Sequence, residues 1–326
     1  DIIILAAGQG KRMQSPLPKV LQSLGGKPLL QHVVDTCSNI EKAKLHIIVG
    51  EQKKLIQSSI SAPKSTNWIV QKKQLGTGHA VKQALPSLRA NSQAVVLYGD
   101  GPLVKISTLK KLIFDAAKNN LTLLTFESAN PKGLGRIIRE SNSKVSGIVE
   151  EKDASSSEKK IKEVNSGILA TSTKNLQQWL PKLRNKNASK EYYLTDIVAL
   201  CSSENKSIKA INLRDTSELL GVNDNRELQN LERIYQKETA LSFLKSGVKF
   251  ADINRVDFRG EVSIGKNVFI DINVVLEGKV TIGSDSIISV GAVIRNSSLS
   301  KKIKVEPYSV IENSKIGDNS MIGPFA

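Results

Sequence analysis

The hydrophobic pattern of the first hundred residues alternates between short apolar runs and amphipathic segments. The runs at residues 2–5, 45–49 and 68–70 are rich in isoleucine and valine, as strands buried on both faces are. Between them, apolar residues recur at helical spacing in residues 28–38 and 53–60. This β-α-β-α-β succession predicts an α/β, Rossmann-like fold whose mostly parallel sheet carries helices on both faces. Ligands of such sheets bind beyond the carboxyl ends of the strands.

A loop of small residues follows the first strand. The first twenty residues read DIIILAAGQGKRMQSPLPKV, so Ala-Ala-Gly at residues 6–8 comes directly after the apolar run. Two cations, Arg12 and Lys19, come shortly afterwards. Backbone N–H groups in such a loop, with fixed cations nearby, can hold a phosphate. An ordinary tight turn with surface charges is the alternative, and these residues alone do not decide between the two.

Two common phosphate-binding motifs are excluded. The dinucleotide-binding pattern needs a third glycine three residues after Gly10, where Met13 stands. The P-loop pattern has a near match at residues 260–267, but Asn267 occupies the position of the magnesium-binding Ser or Thr. That near match also lies in a sequence repeat, which explains its glycines better.

A second informative segment, QKKQLGTGHA, begins at Gln71. A glutamine at a strand end can use both its carbonyl and its amide group against the hydrogen-bonding edge of a pyrimidine. Gly76 and Gly78 allow the backbone to approach a flat ring closely. His79 invites assignment as a general base. A lone histidine at the start of a helix is more often structural, so His79 is given no role.

A third segment places Asp100 at the end of the apolar strand 94–98. No basic residue stands beside it in the sequence to neutralise it. A carboxylate at such a strand end suits a hard cation such as Mg²⁺, which prefers oxygen ligands and phosphate co-ligands. An aspartate that merely caps the next turn is the alternative. The convergence of three segments on one sheet edge favours the metal site.

The run LAAGQGKRM, with Pro18-Lys19 after it, resembles the signature of the sugar-nucleotide pyrophosphorylases, L-A-A-G-x-G-x-R-M followed by P-K. The segments at Gln71 and Gly99 are similar to two further motifs of that family, Q-x-x-x-L-G-T-G-H-A and G-D-x-P-L. The resemblance implies that Arg12 and Lys19 are catalytic and that UTP is the nucleotide. The substrate-binding residues that it implies are Leu5, Ala6, Ala7, Gly8, Lys19, Gln71, Gly76, Thr77, Tyr98, Gly99, Asp100, Gly135, Glu150, Asn165 and Asn223.

The resemblance also implies a sugar-binding side and a metal. The family's G-x-G-R loop, its sugar-binding glutamate and its N-x-G motif match at Gly135, Glu150 and Asn165, and Asp100 with Asn223 would hold Mg²⁺ as the cofactor. The run EYYLTD from residue 191 matches too; its tyrosines could line the sugar pocket, and a packing role is at least as good a reading. The chain departs from the family at two positions. Gly101 replaces a bulky apolar residue and Leu134 a frequent tyrosine.

From residue 264 the hydrophobic period changes to six. The repeated apolar positions are Ile264, Ile270, Leu276, Ile282, Ile288, Ile294, Leu299, Val305, Ile311, Ile316 and Ile322. A six-residue repeat predicts a β-helix of triangular coils, and this one resembles the left-handed β-helix of the hexapeptide acyltransferases. Antiparallel hairpins would need a period of two and are excluded. The predicted domains are 1–224 (uridylyltransferase), 225–247 (helical linker) and 248–326 (incomplete β-helix).

Composition limits the classes of partner that the chain is expected to bind. The 326 residues carry a net charge of +16, yet only 4% are aromatic and the lysines are scattered, so no nucleic-acid partner is inferred. A positive field can also serve acidic, phosphorylated substrates. No apolar run approaches the roughly 20 residues that span a bilayer, so no membrane partner is expected. Cys37 and Cys201 are far apart, which indicates reduced thiols and a cytoplasmic protein.

The order of these parts resembles bacterial bifunctional enzymes that acetylate glucosamine-1-phosphate and then uridylylate the product. The resemblance implies an N-acetylglucosamine-1-phosphate uridylyltransferase that supplies UDP-N-acetylglucosamine for peptidoglycan and lipopolysaccharide. Acetyl-CoA is expected as a substrate only of the full-length protein, because the family's acetyl-transfer residues lie further along the β-helix. A homotrimer is also implied. The alternatives are another sugar-1-phosphate nucleotidyltransferase and a non-catalytic, nucleotide-binding regulatory subunit.

Overall fold

A computed structural model describes residues 1–8 and 10–326 of the chain. The backbone of Lys11 is described and its side chain is not, and Gln9 of the glycine loop lies outside the described residues. Within the described part of the chain, no helix combines the length and the apolar character needed to cross a membrane.

The chain divides into two compact units: residues 1–21 with 29–223, and residues 22–28 with 224–326. The strands up to residue 223 are β1 (Ile2–Ala6), β2 (Ser23–Leu24), β3 (Lys27–Pro28), β4 (Leu45–Val49), β5 (Asn67–Val70), β6 (Gln93–Tyr98), β7 (Leu121–Glu127), β8 (Arg136–Arg139), β9 (Val145–Val149), β10 (Glu163–Ser172) and β11 (Ile208–Asn212). The α-helices of the same stretch are α1 (Leu29–Ser38), α2 (Lys53–Ser59), α3 (Thr77–Ala84), α4 (Ile106–Ala116), α5 (Thr173–Trp179) and α6 (Asp196–Ser203).

The first unit is built on a mostly parallel sheet with the strand order β11-β7-β10-β6-β1-β4-β5. Strands β6, β1, β4 and β5 run parallel to one another, and β11 runs parallel to β7. Strand β10 is antiparallel to both β6 and β7, and the β8–β9 hairpin joins the sheet through β10. The predicted α/β class with a mostly parallel sheet is confirmed.

Strand β1 is buried on both faces, as its unbroken apolar run predicts. Ile4 belongs to a core that includes Leu30 of α1, whereas its neighbour Ile3 belongs to a second core that includes Val81 of α3. Successive strand residues point to opposite faces, so one strand contributes to both cores. Helices therefore cover both faces of the sheet, and the strand ends are left as the open part of this unit.

The register of the parallel strands brings the predicted ligand-binding segments together. Ala6 at the end of β1 lies opposite Val49 of β4, and Val49 lies opposite Val70 of β5. On the other side, Leu5 lies opposite Tyr98 of β6. The glycine loop and the residues that follow β5 and β6 therefore emerge at the same carboxyl edge.

The second unit begins with helix α7 (Asn225–Lys245), whose N-cap Asp224 accepts a 2.8 Å hydrogen bond from the Glu227 N–H. The short hairpin of β2 and β3 packs against this helix. The N–H of Gly25 donates to Glu232 Oε2 at 2.9 Å, and a Cβ on Gly25 would lie 2.1 Å from the Tyr235 ring. Glycine at this turn is thus required by close packing as well as by a positive φ of 54°.

The rest of the second unit is a parallel β-helix. Its strands are β12 (Lys249–Phe250), β13 (Val256–Ile264), β14 (Phe269–Ile270), β15 (Val274–Ile282), β16 (Ile287–Ile288), β17 (Val293–Arg295), β18 (Ser298–Leu299), β19 (Lys304–Val305), β20 (Val310–Glu312), β21 (Lys315–Ile316) and β22 (Met321–Ile322). The apolar positions of successive coils lie in register, for example Ile270 beside Ile288 and Ile288 beside Val305. The period-six prediction of inward positions is confirmed, because eight of the eleven side chains are buried in one core and the other three, Ile264, Ile316 and Ile322, are partly buried and pack against it.

The corners of the coils explain the polar residues of the repeat. A left-handed backbone recurs two or three residues after each inward position, where glycine, asparagine and aspartate are the residues best tolerated. These corner residues are Asn267, Asn273, Gly278, Asp285, Gly291, Asn296, Lys302, Tyr308, Asn313, Asn319 and Phe325. The near match to a P-loop at residues 260–267 runs along β13 into the first of these corners. Its two glycines are explained by close packing between coils, because a Cβ would lie 2.4 Å from the Gly278 carbonyl oxygen at Gly260 and 2.6 Å from the Ser284 nitrogen at Gly265.

Candidate active site

A cavity of about 460 Å³ lies in the first unit at the carboxyl edge of the sheet. Most of the substrate-binding residues expected from the sequence stand on its wall. They are Leu5, Ala6, Ala7, Gly8, Lys19, Gln71, Gly76, Thr77, Tyr98, Asp100, Gly135, Glu150, Asn165 and Asn223. Segments that are separated by more than two hundred residues in the chain, such as those of Leu5 and Asn223, therefore meet around a single cavity.

Two of the expected site residues stand apart from the described wall. Arg12 is exposed on a short 3-10 helix just beyond the glycine loop. Gly99 lies beneath the wall, where its N–H donates to the Leu5 carbonyl at 2.9 Å. A Cβ at Gly99 would come within 3.0 Å of Leu30 and 3.3 Å of Ala6, so close packing requires a glycine there.

The glycine loop is shaped by contacts to its neighbours. Gly10 has a positive φ of 61°, and a Cβ there would overlap Lys19 Cβ at 2.6 Å. Its missing side chain is what allows Lys19 to lie against the loop. On the other side, the amide of Gln74 donates to the Ala7 carbonyl. Gln74 also lines the cavity, and sequence reasoning missed it although it lies within the QKKQLGTGHA motif.

The charged part of the site is centred on the Lys19 ammonium. It forms an ion pair with Asp100 Oδ2, and it lies 3.5 Å from Asn223 Oδ1. Only 15% of the lysine side chain and 14% of the aspartate side chain are exposed. The Val222 N–H donates to the Asp100 carbonyl at 3.1 Å, which ties the two oxygen-bearing segments together. The cation that the sequence did not place beside Asp100 is thus supplied by a residue 81 positions earlier.

One end of the cavity is formed by Gln71 and the turn that begins α3. Gln71 is 4% exposed, and its Nε2 lies 3.2 Å from the Gly76 carbonyl and 3.0 Å from His79 Nδ1. Gly76 has a positive φ of 104°, and a Cβ there would lie 2.6 Å from the Tyr192 carbonyl. Both the turn conformation and the close approach of Tyr192 therefore require glycine at this position.

The residues before α6 clamp that turn. The Tyr192 N–H donates to the Leu75 carbonyl, and the Gly78 N–H donates to the Tyr192 carbonyl, both at 2.8 Å. Thr77 Oγ1 accepts from the Leu194 N–H at 3.0 Å. Tyr192 thus acts on this turn through its backbone, in keeping with the packing reading of the EYYLTD run.

Another part of the cavity wall carries the carboxylate of Glu150. Its Oε1 accepts a 2.8 Å hydrogen bond from Thr195 Oγ1. Burial, together with the nearby carboxylates of Asp153 and Glu191, raises the pKa of Glu150, while the Thr195 hydrogen bond acts in the opposite direction. Burial and the same acidic surroundings raise the pKa of Asp196 to about 6.

Asn165 reaches the cavity from an irregular part of β10. The register of β10 against β7 shifts between Asn165 and Leu169, and the Asn165 N–H donates to the Gly135 carbonyl at 2.9 Å. Gly167 has a positive φ of 80°, and a Cβ there would lie 2.1 Å from the Tyr98 ring. Burial, with Glu150 and Asp100 nearby, raises the pKa of the Tyr98 hydroxyl, which stays neutral.

A buried arginine supports the loop at residues 133–135. Arg136 is 1% exposed, and its guanidinium contacts the Leu134 carbonyl and, at 2.5 Å, Glu151 Oε2. The same carboxylate oxygen accepts from the Gly133 N–H at 3.2 Å. Sequence reasoning gave Arg136 no role, although the G-x-G-R motif contains it.

The chain matches two protein-family models. Residues 2–142 match the MobA-like NTP transferase domain, and residues 261–296 match the bacterial transferase hexapeptide (six repeats). The first match covers the glycine loop and Asp100. The second falls on the β-helix.

Curated relatives match the chain over its whole length. Proteins named bifunctional protein GlmU from Marinobacter nauticus, Baumannia cicadellinicola subsp. Homalodisca coagulata and Nitrosomonas eutropha are 44%, 44% and 46% identical to it. Each alignment covers 100% of this chain and 71% of the relative.

A solved structure of UDP-glucose pyrophosphorylase complexed with UDP-glucose shares the fold. The superposition has a TM-score of 0.58 and covers 73% of this chain and 98% of that chain. At 16% sequence identity, the likeness concerns the fold alone.

Two glycines on the cavity wall are expected to respond differently to alanine. Gly167→Ala should lower the free energy of unfolding by about 2–4 kcal/mol, because a left-handed backbone is strained and the new Cβ overlaps Tyr98. Gly101→Ala should cost less than about 1 kcal/mol, because the nearest atoms are 3.9 Å from the new Cβ. Urea unfolding followed by circular dichroism measures both. Equal losses of stability would contradict the packing described for Gly167.

Proposed function

The chain belongs to the family of bifunctional GlmU proteins, and we propose that it joins UTP to N-acetylglucosamine-1-phosphate, giving UDP-N-acetylglucosamine and pyrophosphate. The enzyme is a nucleotidyltransferase. The observation that carries the proposal is the Lys19 ammonium, held beside Asp100 and Asn223 on the wall of one cavity. The same wall offers the amide of Gln71 with a glycine turn, and the carboxylate of Glu150.

The reaction needs little covalent help from the protein. A phosphate oxygen of the sugar phosphate attacks the α-phosphorus of UTP, and the bond from that phosphorus to the β-phosphate bridging oxygen breaks as pyrophosphate leaves. A phosphate oxygen at neutral pH requires no strong base. The task of the site is therefore to align the two phosphates and to neutralise their charge.

Lys19 is the cation best supported for that task. Its ammonium lies on the cavity wall on a flexible stem, and it can donate to phosphate oxygens. We assign Arg12, exposed just beyond Gly10, to the leaving pyrophosphate on the basis of the family motif. The N–H groups of the loop at Ala7 and Gly8 supply further donors, which suit anionic oxygens.

Two groups of wall residues fit a base and a sugar. Gln71 and the Gly76 turn would hold uracil, because a pyrimidine edge needs polar partners and its flat face needs close backbone approach. Glu150 and Asn165 can accept hydrogen bonds from sugar hydroxyl and amide groups. The acidic surroundings of Glu150 suit a neutral sugar better than a second phosphate.

The site also fits a divalent cation. Asp100 Oδ2 and Asn223 Oδ1 both approach the same ammonium nitrogen, so two hard oxygen donors converge on one point. Mg²⁺ is usually bound through one or two protein oxygens together with substrate phosphates, and this pair of donors suits that arrangement. Mg²⁺, when bound, would supply charge neutralisation of the phosphates.

The proposal also covers the acetyl transfer, location and oligomeric state of the full-length protein. Acetyl transfer from acetyl-CoA is assigned to the full-length protein, and the cytoplasm is its proposed location, supported by Cys37 and Cys201 as buried free thiols. The proposal that the full-length protein forms a trimer is supported by apolar side chains that the coils of the β-helix leave exposed, among them Val310 and Met321. A monomer mass in sedimentation equilibrium would contradict the trimer.

Pyrophosphate release from pairs of nucleoside triphosphates and sugar-1-phosphates, with and without Mg²⁺, tests the function. We expect release with UTP and N-acetylglucosamine-1-phosphate in the presence of Mg²⁺. Asp100→Asn should lower kcat at least about 100-fold, because it removes the charge that balances Lys19 and a cation. The matched control is Asp115→Asn on α4, away from the cavity wall, which should leave kcat within about twofold.

Pyrophosphate release only with a different nucleotide and sugar phosphate would show that the enzyme uses those substrates instead. No release with any pair would overturn the proposal in favour of a nucleotide-binding subunit. Equal kcat values for the Asp100 variant and its control would contradict the catalytic role given to Asp100.

Thr195→Val should shift the pH dependence of sugar-phosphate binding. Glu150 accepts hydrogen bonds best as a carboxylate, so KM for the sugar phosphate should rise as the pH falls through its raised pKa. Without the Thr195 hydrogen bond, which favours the charged form, that pKa rises further and the increase in KM should begin at a higher pH. KM for UTP, measured on the same preparations, should keep the same pH profile. Profiles that coincide for both substrates would contradict the role given to Glu150.

A further inference from the structure

We propose that His79 fixes the amide orientation of Gln71 and thereby makes the base end of the cavity selective for uracil over cytosine. The inference rests on the proposed function, because it concerns the nucleotide of that reaction. His79 does not line the cavity among its described wall residues, so it is a positioning residue that acts through Gln71.

The orientation of the Gln71 amide follows from its neighbours. Its Nε2 lies 3.2 Å from the Gly76 carbonyl, and a carbonyl oxygen can only accept a hydrogen bond. The amide nitrogen, not its oxygen, must therefore stand at this position. The same nitrogen lies 3.0 Å from His79 Nδ1, which then has to be the unprotonated, accepting nitrogen of the ring.

The surroundings of His79 favour that neutral ring. Burial and the nearby Lys82 ammonium lower the pKa of His79. The second ring nitrogen, Nε2, carries the proton in this tautomer and lies 3.3 Å from the side-chain amide of Gln83. The Gln83 Nε2 also lies 3.3 Å from the His79 carbonyl. A 180° rotation about the last bond of Gln83 would give up this long contact and bring its oxygen to the ring N–H, whereas the Gln71 amide has the shorter contacts to its two acceptors.

The consequence is that Gln71 presents an acceptor to the base. Both hydrogens of its Nε2 are directed to Gly76 and His79, so Oε1 is the atom left for a ligand. Uracil carries a hydrogen on N3 and can donate it to Oε1. Cytosine has a lone pair on N3, which would face the lone pairs of Oε1. Binding cytosine would require the amide to turn over, and this turn would break both hydrogen bonds of Nε2.

His79→Leu tests the role of His79 directly, because leucine has no acceptor in place of Nδ1 but has a side chain of similar length. We expect the ratio of kcat/KM for UTP to that for CTP to fall about tenfold, the effect of losing one orienting hydrogen bond. His79→Asn is the matched control, since Asn Oδ1 can accept in place of Nδ1, and its ratio should stay within about twofold of wild type. Both nucleotides are measured on one preparation, so any loss of folded protein cancels in the ratio.

A double-mutant cycle separates positioning from a general structural role. In a Gln71→Ala background the amide to be oriented is gone, so His79→Leu should change the UTP to CTP ratio no further. The inference is overturned by an unchanged ratio in His79→Leu, by an equal fall in His79→Asn, or by a further fall in the Gln71→Ala background. If the wild-type chain releases no pyrophosphate from either nucleotide, the proposed function fails and the inference falls with it. If the chain releases pyrophosphate but the UTP to CTP ratio is the same in wild type and His79→Leu, the proposed function stands and only the role given to His79 is overturned.

Discussion

The ion pair between Lys19 and Asp100 is the interaction on which the site depends. A half-buried carboxylate at the end of β6 would be costly without a partner, and the lysine supplies the compensating charge from a separate segment. Gly10 leaves room for the Lys19 Cβ against the glycine loop. The missing side chain therefore lets the lysine stem pack there, and its ammonium lies beside the oxygens of Asp100 and Asn223.

That arrangement requires a rigid base, and the sheet provides it. Because β1 contributes alternate side chains to two cores, the strand cannot shift along its neighbours by one residue without moving its side chains to the wrong faces. The register therefore holds the ends of β1, β5 and β6 level at one edge.

Several parts of this structure could be read from the chain in advance. The apolar runs with the helical spacing between them, and the period of six, predict the α/β unit and the β-helix, because each pattern reflects which side chains face a core. Most of the substrate-binding residues expected from the family motifs also lie on the cavity wall. The packing of residues 22–28 against α7 could not be foreseen, because the contact of Gly25 with Tyr235 depends on segments more than two hundred residues apart.

The spacing of apolar residues is enough to predict the classes of element, and the resemblance of short motifs to a known family is enough to predict the residue types of the site. Which groups meet depends on the packing of the folded chain: Lys19 with Asp100, Thr195 with Glu150, and His79 with Gln71. These three pairs determine the charge balance at Asp100, the pKa of Glu150 and the orientation of the Gln71 amide. All three properties depend on distances of a few ångströms, and such distances between groups on separate segments are set by the packing of the whole unit.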